Sequence, residues 1–538
     1  MCGLIGSTGP KVSRTTLNDI HHRGPDSRGL FCDENISMGH TRLEVIDPEN
    51  GSQPRVSEEV VLVFNGEIYN YLELRCNQEK SDTEVLLQYY RKHGIEKTLK
   101  DINGMFSFAL YDKRKGKLFL VRDRIGIKPM HYFHRDGELV FCSEIEPIKN
   151  LVGLEKLSID KLAVSIFFSL YYIPSPLTIW KEIRSLRPGH YVEYDISSDS
   201  FCDKEYWSLP RPTKNKQSLD DLENLLSHSV RLRTRSDVPY GAYLSGGVDS
   251  SLIVKCMSDL DEGVSTFTAQ INDEELDESS YAAYVASACE TDHTNLEVNY
   301  GDITLNFLRK ISANFGQPFA DSSIIPTYLI SKKISENVTV ALGGDGADEL
   351  FCGYDKYSRI EDKNEFKFFR NDDLSFLNKG YVCNNILYLN SLLPYSVDSD
   401  IEFMRLLDIH VFLEGDILQK VDRTSMANSL EVRVPFLDHR IVELSNNLNY
   451  DILYGKPRKA ALKNILSKYF PGDFVKRPKI GFMLNMGGWV DKLFSRIKSF
   501  KVFEDNIFVK DFNFSGVKDN YLKFAIIMFS LWYEDVYA

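Results

Sequence analysis

Leu244-Ser245-Gly246-Gly247-Val248-Asp249-Ser250-Ser251 stands between two different textures: residues 241–244 read as a strand, and residues 250–257 as a helix. Two glycines let a backbone approach a phosphate chain, and N–H groups and hydroxyls at a helix N-terminus can hold pyrophosphate. The loop lacks the Gly-Lys-Ser/Thr ending of a Walker A motif. Working outward, residues 265–269, 294–298 and 338–342 read as strands, and residues 281–288 as a helix. Strand–helix alternation predicts a parallel sheet covered on both faces, with its ligand site beyond the carboxyl ends of the strands. Residues 360–538 read as mostly helical, with few strand signals.

Ser-Gly-Gly-x-Asp-Ser is the form of loop used to cleave ATP between its α- and β-phosphates, which assigns Leu244, Ser245, Gly246, Gly247, Asp249 and Ser250 to the nucleotide. A second loop, Gly343-Gly344-Asp345-Gly346-Ala347-Asp348-Glu349, leaves the strand at 338–342. Asp249 and Asp348, one from each loop, are placed to share Mg²⁺ on the pyrophosphate, since Mg²⁺ takes one or two carboxylates plus phosphate oxygens. In Gly455-Lys456-Pro457-Arg458-Lys459, Lys459 can neutralise charge on the α-phosphate and the leaving pyrophosphate.

Upstream the texture is β-rich. Residues 106–112 and 118–122 flank the turn Lys113-Arg114-Lys115-Gly116, and residues 131–133 and 139–143 flank Arg135-Asp136-Gly137; both read as hairpins. Ser81-Asp82-Thr83-Glu84 predicts a capping box for a helix that stops at Gly94. The division that follows is a first domain at 1–196, a linker at 197–217 rich in Ser, Asp, Lys and Pro, and a second domain at 218–538.

The chain begins Met1-Cys2-Gly3. Methionine is commonly trimmed before a small residue, and a terminal cysteine then carries nucleophile and base together, because its α-amine titrates near ~8 and can take the thiol proton. Alone, a cysteine at position 2 means little. Within one β-rich domain it is followed by His22-Arg23-Gly24-Pro25-Asp26, Gly39-His40-Thr41-Arg42-Leu43, Asn65-Gly66-Glu67-Ile68-Tyr69-Asn70 and Ser81-Asp82-Thr83-Glu84. These can together bind free glutamine. Arg42 can clamp the α-carboxylate and Asp82 can pair with the ammonium. Asn65 and the Gly66 N–H can stabilise the oxyanion, and Glu67 can hold the ammonium or order the loop.

At 538 residues, with 43% hydrophobic and 26% charged residues, the chain is globular and too long for one ordinary core. Its net charge of −13 argues against a nucleic-acid partner. Residues 1–30 lack the apolar run of a signal peptide, and the longest apolar stretch, 524–533, is half of what a bilayer requires and reads as a buried helix. The chain reads as cytoplasmic, with no membrane partner. Nine cysteines, odd in number, widely spaced and without a CxxC pair, suggest neither a disulfide framework nor zinc; most are expected to be buried thiols.

Together these residues resemble the glutamine-hydrolysing asparagine synthetase family over nearly the whole chain. The resemblance also rests on Asn103-Gly104-Met105-Phe106, Arg122-Asp123-Arg124-Ile125-Gly126, Arg187-Pro188-Gly189, Ser425-Met426, residues 431–438 and Lys479-Ile480-Gly481-Phe482. It implies an α/β multidomain fold: an N-terminal-nucleophile glutaminase of layered antiparallel sheets with helices, joined to an ATP-pyrophosphatase-type domain with a parallel sheet. It implies Cys2 as nucleophile; Arg42, Leu43, Val45, Asn65, Gly66, Glu67 and Asp82 as the glutamine pocket; and Leu244, Ala269, Gly343 and Gly344 around ATP. Asp345 is implied at the acyl-adenylate and Lys459 as the group that stabilises adenylation. An internal ammonia tunnel, Mg²⁺ and a homodimer are further implications.

Departures from the family pattern bear on the acceptor carboxylate. Gly343 stands where Ser is usual, Asp345 where well-known members have Glu, and Lys463 where Arg is usual. The segments between Cys2 and His22 and between Tyr71 and Ser81 are short. Aspartate is the first reading of the acceptor; a sugar uronate of surface-polysaccharide assembly is the second. A cyclase lacking glutaminase is disfavoured by Cys2, and a non-enzymatic scaffold by the intact catalytic positions.

Overall fold

In a computed structural model the described residues are 1–538 except 77, 214–215, 272–276, 299–302, 364–365, 478–483 and 485. Lys479-Ile480-Gly481-Phe482 therefore lies outside the described residues.

The first domain stacks two six-stranded sheets. One has the order β10-β8-β9-β1-β3-β2, and its strands are β1 (Cys2–Ser7), β2 (Ser27–Cys32), β3 (Ser37–Arg42), β8 (His131–Arg135), β9 (Glu138–Cys142) and β10 (Ile183–Ser185). The other has the order β12-β11-β7-β6-β5-β4, from β4 (Arg55–Val56), β5 (Val60–Ile68), β6 (Gly104–Asp112), β7 (Lys117–Arg122), β11 (His190–Asp195) and β12 (Ser200–Glu205). Every recorded pairing within these two sheets is antiparallel. Period-two alternation sorts β5 between two cores. Val61 and Val63 face the other sheet with Leu4, Ala109 and Phe141, while Val60, Leu62 and Phe64 face the helix Asp82–His93 through Leu86, Leu87 and Tyr90. The outer face of the first sheet is covered by helices Ile145–Val152 and Lys161–Leu170, giving helix–sheet–sheet–helix layers.

Both predicted hairpins form. Ser81 caps its helix by accepting from the Glu84 N–H at 3.2 Å, and Gly94 ends it. The reciprocal half of the box is absent, because the Glu84 carboxylate goes to Arg55 and Gln88 instead. The stretch read as a linker contains β12, an edge strand paired along its length with β11, so the sheet of the first domain runs on to Glu205. Its exposed, polar residues hide the strand from a hydrophobicity reading.

The second domain is built on a parallel sheet of order β15-β14-β13-β16-β17, with β13 (Tyr240–Tyr243), β14 (Ser265–Ile271), β15 (Asp292–Val298), β16 (Val340–Leu342) and β17 (Glu431–Arg433). Helices Val248–Ser258 and Ser279–Ala288 follow β13 and β14, and the C-terminal helix Asn520–Tyr537 is buried. Among the described residues no helix is long and apolar enough to cross a membrane. The nine cysteines are free, but only Cys2, Cys142 and Cys352 are buried; Cys32, Cys76 and Cys202 are exposed, against expectation.

Candidate active sites

Cys2 opens β1, a strand in which all six residues are buried, and is itself only 6% exposed. Its N–H donates to Asn65 Oδ1 at 3.1 Å, and the Leu43 N–H donates to the Met1 carbonyl at 3.0 Å. Burial pushes the Cys2 thiol up, a shift opposed by the Met1 ammonium, the Leu43 N–H and Arg42. The Met1 side chain packs with Leu43, Val45, Ile46 and Tyr69, in a cluster continuous with the second domain's core. With Met1 in place the nitrogen of Cys2 is a peptide N–H, which cannot act as a base.

Around this centre the expected glutamine residues gather, with differences. Asp82 accepts from the N–H groups of Ile68 (3.1 Å) and Thr83 (2.7 Å); burial raises its carboxyl to about 6 despite them. Glu67 is buried beside Glu431 and Asp82, and burial with these like charges pushes it well above the usual range. Asn65 Nδ2 turns to Ser107 Oγ at 3.4 Å. Arg42 is not a free fork. Its Nη1 donates to the Pro48 carbonyl, and its Nη2 to the carbonyls of Ile46 and Asp47, at 2.8–3.0 Å. It ties down the loop that follows β3, and a carboxylate clamp requires release of some of these donors.

The second domain reaches into this site. Glu431, on β17, accepts from the Met1 ammonium at 2.8 Å and from Arg433 Nε at 2.6 Å. Arg433 also lies 3.6 Å from Glu67, and its carbonyl accepts from the N–H of Gly343 in the nucleotide loop. A second link runs through Arg23. Its Nε donates to the Cys2 carbonyl at 3.1 Å, while Nη1 and Nη2 fork onto Asp422 at 2.8 and 3.1 Å, and Glu144 sits at 3.1 Å. Asp422 lies on the helix Gln419–Met426, which also carries Lys420. Neither Asp422 nor Lys420 follows from pattern reading, and Glu431 and Arg433, within the 431–438 stretch that carries the resemblance, had no role assigned to them. The available signal was charge held in runs of otherwise buried residues such as 418–437.

Beyond the carboxyl ends of β13, β14 and β16 lies a cavity of about 350 Å³. Leu244, Ser245, Asp249, Ser250, Ala269, Gly343, Gly344, Asp345 and Asp348 all border it. Gly246 holds φ +69°, and a Cβ there would come within 2.6–2.8 Å of residues 281–282. Gly247 caps the helix Val248–Ser258, so that its N-terminus faces the cavity. The two loops meet at Gly344, where a Cβ would lie 3.1 Å from Asp249 Cβ.

Lys459 completes this site. Its Nζ lies 2.5 Å from Asp249 Oδ2 and 2.7 Å from Asp348 Oδ1, a convergence of carboxylates from separate loops on one point. Burial works against its charge, but the two carboxylates raise its pKa. Lys459 itself holds φ 57°, an uncommon conformation for a residue with a side chain. Gly353 makes room for the group: a Cβ there would be 2.0 Å from Asp348 Oδ1 and 2.1 Å from Lys459 Cε. Two carboxylates that bracket a cation, with space for phosphate oxygens, also fit Mg²⁺.

Comparison with known proteins agrees with both halves of this geometry. A family model described as asparagine synthase matches residues 221–501, and one described as glutamine amidotransferase domain matches residues 1–207. The asparagine synthetase (glutamine-hydrolyzing) 1 of Bacillus subtilis is 31% identical, over 91% of this chain and 88% of its own length. A putative asparagine synthetase (glutamine-hydrolyzing) 2 of Methanocaldococcus jannaschii is 37% identical over 66% of this chain and 76% of its own. The asparagine synthetase B (glutamine-hydrolyzing) of Escherichia coli is 27% identical over 92% and 84%. The chain belongs to the asparagine synthase family, with an amino-terminal glutamine amidotransferase domain.

Proposed function

We propose that this chain makes asparagine from aspartate, ATP and glutamine. After removal of Met1, the freed α-amine of Cys2 takes the thiol proton and the thiolate attacks the glutamine amide; ammonia leaves, and water releases glutamate from the thioester. In the second domain the β-carboxylate of aspartate attacks the α-phosphorus of ATP, pyrophosphate departs, and ammonia displaces AMP from the acyl-adenylate. Lys459 stabilises charge on the pentacoordinate phosphorus and the departing pyrophosphate. Asp249 and Asp348 would hold Mg²⁺, which when bound neutralises phosphate charge. Leu244 and Ala269 lie against the nucleotide, and Asp345 faces the acyl carbon.

The observation that carries this reading is the position of Lys459 between Asp249 and Asp348, the two carboxylates that border the cavity with both glycine-rich loops. The Arg23 link, which runs from the Cys2 carbonyl to the helix Gln419–Met426 at the cavity wall, joins the two sites between which ammonia would pass. Cys2→Ala tests the division of labour. It should abolish glutamine-dependent asparagine formation and leave synthesis from ammonium salts largely intact. Equal loss of both would refute the assignment.

A further inference from the structure

Lys420 belongs to neither set of groups described so far, yet it is a cation on the wall of the nucleotide cavity and only 8% exposed. It lies one turn before Thr424, whose hydroxyl donates to the Lys420 carbonyl at 2.7 Å, so the helix Gln419–Met426 fixes its root. Its ammonium carries three N–H donors. Among the described residues it has one acceptor, Asp321 Oδ2, at 3.5 Å. That contact is long, and Asp321 does not depend on it. The N–H and hydroxyl of Ser323 each reach Asp321 Oδ1 at 2.8 Å, and Arg370 Nη2 lies 3.3 Å from Oδ2.

Asp321, Asp416 and Asp345 favour the Lys420 ammonium against burial, and none of them but Asp321 comes within hydrogen-bond reach of it among the described residues. Lys420 and Arg370 are cationic, and Asp321 is held well below the usual carboxylate range: burial opposes this, but both cations stabilise its charge. Asp416, 2.6 Å from Arg370, is pushed up to about 8 by burial and by Asp321, while Arg370 and Lys420 oppose the shift. Lys420 is also the foremost charge favouring ionised Asp345 against the effect of burial. A buried cation with donors to spare, beside the residue at the acyl position and on an open cavity, offers hydrogen bonds to an anion that enters it.

We propose that Lys420 binds a second carboxylate of the acceptor, the one that is not adenylated, and so restricts the site to dicarboxylates. The proposal rests on the reaction given under Proposed function and adds the group that selects its acceptor. Lys420 takes no part in bond making: it holds the spectator carboxylate while the other meets the α-phosphorus. A hexuronate with a single carboxylate leaves Lys420 with only its long contact to Asp321 among the described residues. An acceptor lacking a second anion loses a charge-assisted hydrogen bond, worth roughly 10- to 100-fold in binding.

The test uses the full chain with ATP, Mg²⁺ and ammonium chloride, and reads AMP release with aspartate, succinate and β-alanine, which is aspartate without its α-carboxylate. Lys420→Met should raise the KM for aspartate about 10- to 100-fold, with a much smaller change in kcat. The KM for ATP and the glutaminase rate at Cys2 should not move, and Lys420→Arg should recover part of the loss. The native chain should use β-alanine poorly, and Lys420→Met should not worsen that. An unchanged aspartate KM in Lys420→Met, or an equal loss with β-alanine, overturns the inference while leaving the reaction intact. Should Lys420→Met also lose glutaminase activity through misfolding, the native chain decides: equal efficiency with aspartate and β-alanine overturns the proposal. Failure of the native chain to release AMP with any dicarboxylate, alongside release with a uronic acid, overturns the underlying reaction as well.

Discussion

Gly353→Ala applies the smallest possible perturbation to the synthetase site. Gly353 is not in the left-handed region, so its backbone tolerates a side chain. The added methyl instead falls 2.0 Å from Asp348 Oδ1 and 2.1 Å from Lys459 Cε. Ordinary contacts for such pairs are about 3.5 Å, so each neighbour must retreat by more than ~1 Å or the 348–353 turn must open. The Gly353 N–H donates to the Asp348 carbonyl at 2.9 Å, which restrains the turn. The strain falls mostly on the Lys459–Asp348 contact, now 2.7 Å. Displacing a reacting group by about 1 Å costs on the order of a hundredfold in rate. The folding cost of such overpacking is about 1–3 kcal/mol, too little to unfold a typical domain. The assay is ammonium-dependent AMP release set beside glutaminase activity in one preparation. Synthesis should fall about a hundredfold with glutamine hydrolysis retained. Retention of more than half of the synthetase rate would show that the Lys459–Asp348 contact is not part of catalysis.

Asp422→Asn removes the carboxylate under the Arg23 fork and leaves the buried guanidinium with Glu144 as its remaining carboxylate, costing about 1–3 kcal/mol by chemical denaturation. The same pair sets an acid limit. Burial would raise the Asp422 carboxyl, but Arg23 and Lys128 lower it to about 2, below its ordinary 3.8, so its stabilisation is complete above about pH 4 and is lost as pH falls toward 2; that portion of the acid transition should be missing from the Asn variant. Asp82, raised to about 6, should govern glutamine capture: kcat/KM for glutamine should fall as pH drops through 6 and lose this inflection in Asp82→Asn, and a profile flat from pH 7 to 5 would exclude the role. Gly343→Ser restores the residue usual in the family, but its Cβ would lie 2.8 Å from Asp345 Oδ2. It should lower the synthetase rate, and in an Asp345→Ala background, which removes that oxygen, Gly343→Ser should be nearly silent; additive losses would show that the two positions are uncoupled.

The loops that carry chemistry were legible because glycines, hydroxyls and carboxylates at a strand–helix junction have few other uses. The hairpins were legible from their clear turns and the layered sheets only from the family resemblance; β5, buried on both faces, shows no alternation from which to read it. β17 was not legible, since three residues with Glu431 and Arg433 at their ends look like surface; they are buried because each finds its counter-charge across the domain boundary. β12 was hidden for the opposite reason, as an exposed edge needs no apolar face. Lys459 was singled out as a cation. Its position between the two carboxylates depends on Gly353, a contact across more than a hundred residues that no local pattern encodes. The Arg23–Asp422 fork, spanning 399 residues, is of the same kind.

The acyl-adenylate is the step on which the whole account turns, and isotope transfer tests it without any variant. When the aspartate β-carboxylate attacks the α-phosphorus, one of its oxygens becomes the bridge, and it leaves with AMP when ammonia takes the acyl group. Aspartate labelled with ¹⁸O in the β-carboxylate, incubated with ATP, Mg²⁺ and ammonium, should therefore give AMP carrying one ¹⁸O and asparagine retaining the other. Formation of asparagine with unlabelled AMP, or with ADP and phosphate in place of AMP and pyrophosphate, would contradict the mechanism assigned to this site.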